Sequence, residues 1–231
     1  MKTVLITGAS RGLGLEHVRR FAATGAHVLA AVRTPADAKE LQTLAADKNV
    51  RVEILAYDAR DASAPGKLKT ALGNTPLDLL FANAGEMGDK ITSLGSIDIE
   101  GVLRLVTVNA LAPLKLVEAL TDNVAASEHK IIAFQSSRLG SIGENSSGGY
   151  YPYRISKCVA NMIARNIAID LKPRGVIAVA LHPGWVRTRM GGESAPVSVD
   201  ESVSGQQRLF ANLKAADSGK FFNYDGAEIP W

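Results

Sequence analysis

Short, unbroken apolar runs alternate along this chain with longer segments whose apolar residues recur every three or four positions. Thr3-Val4-Leu5-Ile6-Thr7 lacks polar alternation, the pattern of a strand buried on both faces of a parallel sheet. Gly8-Ala9-Ser10-Arg11-Gly12-Leu13-Gly14 follows, and then Leu15, Val18, Phe21 and Ala22 on one helical face that Gly25 stops. The same alternation predicts strands at His27 to Val32, Val52 to Tyr57, Leu77 to Phe81, Lys130 to Gln135, Val176 to Leu181 and Lys220 to Tyr224. It predicts helices at Ala36 to Asp47, Ala62 to Leu72 and Ile99 to Ala126, and one through Tyr153 that runs to Leu171 before Pro173 and Gly175. Between Thr188 and Gln206 only a short Gly/Ser/Pro-containing segment is expected, acting as a lid. Sequential strand–helix units with right-handed crossovers specify an α/β fold: a doubly wound parallel sheet of about seven strands, ordered 3-2-1-4-5-6-7, with helices on both faces. With 231 residues and no Pro/Gly/Ser-rich linker, the expectation is a single domain over residues 1–231.

Charge and cysteine usage narrow the function classes. The formal charge of +3 is spread over Lys and Arg interleaved with Asp and Glu, so no nucleic-acid footprint is expected. Cys158 is the only cysteine, which excludes an internal disulfide and a thiolate zinc cluster and reads as a small packing residue in a reducing compartment. His17, His27, His129 and His182 lack ligand spacing, so no metal is expected. The first strand begins within two residues of Met1, leaving no space ahead of it for a leader. The longest apolar stretch, Val102 to Leu120, is broken by Arg104, Asn109, Pro113, Lys115 and Glu118 and cannot span a bilayer. A cytoplasmic location is the expectation.

In a doubly wound sheet the ligand crevice lies at the carboxyl ends of the strands, where the strand order reverses. The polar motifs fall there: Asp58 after the third strand, Asn83-Ala84-Gly85 after the fourth, Ser136-Ser137 after the fifth and His182-Pro183-Gly184 after the sixth. A glycine-rich turn between strand and helix is a phosphate-binding pattern, because backbone N–H groups and the helix N-terminus meet a pyrophosphate that side chains would block. Gly8, Ser10, Arg11, Gly12, Leu13 and Gly14 make up that turn. Tyr153 and Lys157 stand at i and i+4, on one helix face, with Pro152 suited to the first turn. An ammonium beside a phenol favours the phenolate, so the Tyr153 pKa is expected to fall towards working pH and make it a general acid or base. An NAD site carries an acid at the end of the second strand; here Ala30-Ala31-Val32-Arg33 puts a guanidinium there, and Arg11 is a second cation for a 2′-phosphate. Asp37 reads as a helix-start residue facing the dipole instead.

Thr7-Gly8-x-x-x-Gly12-x-Gly14, Asn83-Ala84-Gly85, Asn109, Ser137, Tyr153-x-x-x-Lys157 and Pro183-Gly184 together resemble the short-chain dehydrogenase/reductase family, over nearly the whole chain. The ending, Ser218 to Gly226 followed by Ile229-Pro230-Trp231, further resembles the sniffer-type carbonyl reductases and the bacterial C-factor proteins. The resemblance implies a Rossmann-type fold in which Tyr153 passes a proton to or from the substrate oxygen. Lys157 would bind the nicotinamide ribose and lower the Tyr153 pKa, Ser137 would bond the substrate carbonyl, and Asn109 would anchor a water in a proton relay. For Asn109 the alternative is a polar residue relieving a kink made by Pro113. Asp58 would bind the adenine amino group, Asn83, Ala84 and Gly85 would line the cofactor, and Pro183, Gly184, Val186 and Thr188 would meet its nicotinamide end. Ser137 stands further ahead of Tyr153 than the family's serine does, so Glu144 to Gly149 reads as a lengthened loop and Ser141 is a second candidate. Ser136 is expected to turn inward.

The function so implied is NADP(H)-dependent reduction of small, hydrophobic aldehydes or ketones, with a C-factor-like signalling or dinucleotide-sensing role as the alternative. A hydrolase is disfavoured by the lack of a Gly-x-Ser-x-Gly elbow, and an epimerase by the short segment after Pro183. Ser156, Ala160, Ala164 and Ala168 form a stripe of small residues along the Tyr153 helix. That stripe either lets a second copy approach, giving a homodimer or homotetramer, or packs on the chain's own sheet.

Overall fold

The computed structural model describes residues 1–88 and 94–231. Seven apolar runs become the strands β1 (Thr3–Thr7), β2 (His27–Val32), β3 (Arg51–Ala56), β4 (Leu79–Ala82), β5 (Ile131–Gln135), β6 (Ile177–His182) and β7 (Phe221–Asn223). All pair in parallel, in the expected order β3-β2-β1-β4-β5-β6-β7. The helices are α1 (Gly12–Ala23), α2 (Lys39–Ala46), α3 (Ala64–Leu72), α4 (Ile99–Val106), α5 (Ala112–Ala125), α6 (Tyr151–Asp170) and α7 (Val199–Asn212). Because every strand runs the same way, the residues that follow the strands share one edge of the sheet.

Alternate strand residues feed two cores. On one face Leu5, Leu80, Ile132 and Ala180 pack with Val117 and Leu120 of α5 and with Ala160, Ala164 and Ala168 of α6. On the other, Val4, Ile6, Phe81 and Ala133 pack with Leu15 and Val18 of α1 and Phe210 of α7. The central strands are buried on both sides, which is why they carry no polar alternation. The edge strand β3 exposes Arg51 and Glu53, and at the other edge residues 227–229 return along β7, with Ile229 N–H donating to Phe221 O at 2.7 Å.

Four expectations are corrected. The helix expected from Ala36 begins as a 3-10 turn, Pro35–Asp37, and becomes α-helical only at Lys39. The expected Ile99 to Ala126 helix is interrupted by a π turn, Thr107–Leu111, immediately before Pro113, whose missing N–H favours that local slip. The segment after Thr188 holds a full helix, α7, with buried Ser202, Val203, Gly205, Gln206 and Phe210, a face on which polar residues interrupt the apolar ones. The small-residue stripe of α6 packs on the chain's own sheet: Ser156, Ala160, Ala164 and Ala168 are all buried, so it is not a face for a second copy.

That tight approach of α6 gives a direct test. Ala164→Leu forces extra methylene groups between helix and sheet and should cost about 1–3 kcal/mol, lowering Tm by several degrees in a thermal melt. An unchanged Tm would mean that the layer has room to spare.

Candidate active site

Where β1 ends the chain must turn at once into α1, and sterics select glycine. Gly8 adopts φ +66°, and a β-carbon on it would lie 2.8 Å from Ala84 Cα. One on Gly14 would lie 2.3 Å from the Gly8 carbonyl oxygen. The turn is stitched to the end of β4: the Asn83 amide donates to Thr7 O at 2.9 Å, and Ala84 N–H donates to Thr7 Oγ1 at 3.0 Å. Ser10 and Leu13 are half-buried in the same turn. Arg11 precedes α1 in extended backbone, no side chain caps that helix and no acid stands in its first turn. Its N-terminal amides thus carry no side-chain acceptor, which suits them to an anion.

Arg33 follows β2 directly and is exposed, as is Arg11. Asp58 accepts from Arg60 N–H at 3.0 Å and from the Arg60 guanidinium at 3.2 and 3.1 Å. The bond to Arg60 holds the Asp58 carboxyl below the ordinary carboxylate range, and the charge of Arg33 adds to it. Asp58 therefore makes a capped turn with a neighbouring guanidinium, and Arg33 stands close enough to feel its charge. Sequence reasoning missed Arg60; a cation two residues after the acid was the available signal.

Tyr150 takes a left-handed conformation, φ +51° and ψ +32°, and α6 starts at the next residue with Pro152 in its first turn. Tyr153 and Lys157 are buried, 9 % and 4 % exposed. The Ser137 side chain faces the Tyr153 hydroxyl and favours its ionised form. Lys157 Nζ donates to Gln135 O at 2.7 Å and lies 5.7 Å from the Tyr153 ring centroid. Ser137 Oγ also accepts from Leu139 N–H at 3.2 Å, capping the turn Arg138–Gly140. Ser136 faces the other way, towards Asn161 of α6. Ser141 Oγ donates to Pro230 O at 2.6 Å and accepts from Glu144 N–H at 3.1 Å. Of the two candidate serines, Ser137 is the one that reaches Tyr153.

The expected fall in the Tyr153 pKa is not found. Burial pushes the phenol up to about 12, against a smaller opposite pull from the Ser137 side chain. Burial likewise pushes Lys157 down to about 8, and its ammonium is directed at a backbone carbonyl rather than the phenol oxygen. In this environment the Tyr153 hydroxyl keeps its proton at neutral pH until an acceptor more basic than water meets it.

Asn109 sits in the π turn, a feature that recurs at functional sites. Its side chain clamps Glu86, accepting from the N–H at 2.8 Å and donating to the carbonyl at 2.8 Å, and it donates to Ser156 Oγ at 2.9 Å. The kink and the polar role thus coincide in one residue. Gly85 lies between: a β-carbon there would be 3.1 Å from Asn109 Oδ1 and 3.5 Å from Lys157 Nζ.

After β6, Gly184 takes φ +86° under Tyr224 and Val197, which a β-carbon would meet at 3.0 and 3.1 Å. Val186 forms a bridge with Val197, and Pro183 O accepts from Ser202 Oγ at 2.6 Å. Thr188 Oγ1 accepts from Gly191 N–H at 3.2 Å, and a β-carbon on Gly12 would lie 3.6 Å from the Thr188 methyl. The Pro183–Thr188 segment therefore reaches back to the glycine turn. The structure brings together Tyr153, Lys157, Ser137, Asn109 and Gly85 in one cluster, Gly8, Gly14, Asn83 and Ala84 in another, and Gly12 with Thr188 at a third point.

This arrangement can be compared with known proteins. The family model described as short chain dehydrogenase matches residues 2–197. The chain is 33 % identical to the carbonyl reductase Sniffer of D. melanogaster, with all of both chains covered and a TM-score of 0.91. It is 32 % identical to an NADPH-bound carbonyl reductase from chicken fatty liver, covering 100 % of this chain and 99 % of that one, with a TM-score of 0.91. It is also 41 % identical over 156 residues, 68 % of its length, to 93 % of a Myxococcus xanthus protein named C-signal. A match of this extent in sequence and in fold makes the chain a member of the short chain dehydrogenase family of oxidoreductases.

Proposed function

We propose that the protein is an NADPH-dependent reductase of small, apolar aldehydes and ketones, with Tyr153 as the proton donor. The observation that carries this reading is the buried Tyr153 hydroxyl facing Ser137 beside the buried Lys157. A phenol at about 12 is protonated throughout the working range, as a donor to a newly formed alkoxide must be. Ser137, facing the same hydroxyl, can hold the substrate oxygen within reach of it. Lys157 is seated beside the phenol by its bond to Gln135 O, and Asn109 holds Glu86 and Ser156 so that the first turns of α6 keep their place.

The residues present fit a dinucleotide, because the turn that Gly8 and Gly14 allow to pack this tightly brings the start of α1 to the end of β1, and α1 offers uncapped amides there to a pyrophosphate. The cofactor supplies the hydride when bound. Arg33 and Arg11 suit a 2′-phosphate, since the planar donor fork of Arg matches its oxygens, and Arg60 adds a third guanidinium near Asp58. The NADPH-bound relative from chicken supports the same choice. A second reading, a signalling role, is favoured by the identity to C-signal.

We also propose that the chain self-associates. With its small-residue stripe buried, α6 presents Ile155, Met162 and Ile169 to solvent, 40 %, 60 % and 56 % exposed. Sedimentation equilibrium at micromolar concentration should give a dimer or tetramer, and a monomer throughout would end this part of the proposal.

Tyr153→Phe should lower carbonyl reduction roughly 10²- to 10⁴-fold while NADPH affinity stays near wild type. Retention of more than a tenth of the turnover would remove Tyr153 as donor, and a signalling phenotype that survives the substitution would favour the second reading. In the wild type, reduction should hold steady on the acid side of about 8 and decline above it, as Lys157 loses its charge. The sign follows from a lowered lysine pKa: the ammonium is present below that value and lost above it. A kcat/KM profile with no alkaline limb would mean that the charge is dispensable.

Arg33→Ala should weaken NADPH binding by about ten- to a hundredfold, the loss of roughly 1.5–3 kcal/mol from one charge-assisted contact, and leave NADH binding nearly unchanged. A wild-type kcat/KM with NADH equal to or above that with NADPH would overturn the cofactor choice.

A further inference from the structure

His17 on α1 and Ser202 and Gln206 on α7 are all fully buried, yet none belongs to the site described above. They form an unbroken chain: His17 Nε2 lies 3.3 Å from Gln206 Oε1, Gln206 Nε2 donates to Ser202 Oγ at 3.0 Å, and Ser202 Oγ donates to Pro183 O at 2.6 Å. We propose that these three side chains are a positioning relay tying the loop after β6 to the helix after the glycine turn, so that both segments facing the dinucleotide hold one spacing. The inference rests on the dinucleotide reading above.

The chemistry of the donors gives the chain a single polarity. The Pro183 carbonyl can only accept, so the one hydroxyl proton of Ser202 goes to it. Ser202 Oγ then accepts from the Gln206 amide, which leaves Gln206 Oε1 to accept in turn from His17 Nε2–H. The tautomer of His17 is thereby fixed, and its buried Nδ1 has no partner among the described residues. Burial pushes the His17 pKa down to about 3, so the ring stays neutral and the polarity does not reverse at working pH.

Stability alone is a poor account of this chain. His17 is packed among the rings of Phe21, Phe81 and Phe210, with centroids 6.1, 5.0 and 5.9 Å away. In such a wall, apolar side chains of matching shape would serve the core about as well, whereas hydrogen bonds fix direction and distance. What they fix is the base of a loop whose tip already rests on the glycine turn, where Thr188 approaches Gly12. A second tie between the same helices, Arg20 to Ser204 Oγ at 2.5 Å, keeps α1 and α7 in one alignment.

The test compares the whole cofactor with its adenosine half, using 2′,5′-ADP as the probe of the half that the relay does not touch. Gln206→Leu and Ser202→Ala should each weaken NADPH binding by about fivefold to thirtyfold, with 2′,5′-ADP affinity within about twofold of wild type. The double variant should bind NADPH about as the single variants do, because each cut already breaks the same chain. Three outcomes would overturn the relay: NADPH affinity unchanged while Tm falls, equal losses for NADPH and 2′,5′-ADP, or penalties that add in full in the double variant. Ser202→Ala removes one oxygen from a helix and keeps the test open should Gln206→Leu misfold. If wild-type protein fails to bind NADPH, the dinucleotide reading itself falls and takes the relay with it, whereas failure of the relay alone leaves wild-type binding intact.

Discussion

An ammonium taken out of water must find acceptors inside the protein, and the site depends on how Lys157 does so. The ladder between β4 and β5 stops at Ala82 and Phe134, which leaves the Gln135 carbonyl to the lysine. For Nζ to reach it, α6 must start just beyond the loop that carries Ser137 and lie hard against that loop. Gly140 shows how hard: a β-carbon there would be 2.8 Å from Lys157 Cβ. Gly85 leaves the space on the other side, and Asn109 closes it. The strand end, two glycines, the π turn and the left-handed Tyr150 all answer to the need to seat one buried charge.

The sheet and its carboxyl edge were legible because they rest on local signals. Buried strands read as unbroken apolar runs, and the glycines at 8 and 14 mark places where backbone meets backbone. The order of the strands followed from handedness and the βα alternation. What escaped rests on tertiary context. Helix α7 buries Ser202, Gly205 and Gln206 among Val203 and Phe210, so the apolar period of its inner face is interrupted. The direction of the Tyr153 shift escaped for a related reason: i and i+4 spacing says that two side chains are neighbours, but not that the site is dry or that the lysine turns to a carbonyl. Which of Ser137 and Ser141 meets the tyrosine was likewise a matter of loop path, settled by the hold of Pro230 on Ser141.

At Asn109 a kink in the helix also places a polar side chain. Pro113 removes a backbone donor, the helix slips into a π turn, and the slip projects Asn109 to where its amide can grip Glu86 and Ser156. A helix that continued smoothly through these residues would aim that side chain elsewhere on its circumference.

The two edges of the sheet are finished differently. Along β3 the outward residues Arg51 and Glu53 put charge beside the open backbone groups, while along β7 the chain's own return at 227–229 takes up the edge. Neither border is a bare template on which a foreign strand can add. A sheet finished in this way resists growth in its own plane, which guards the most aggregation-prone element of an α/β protein against its neighbours.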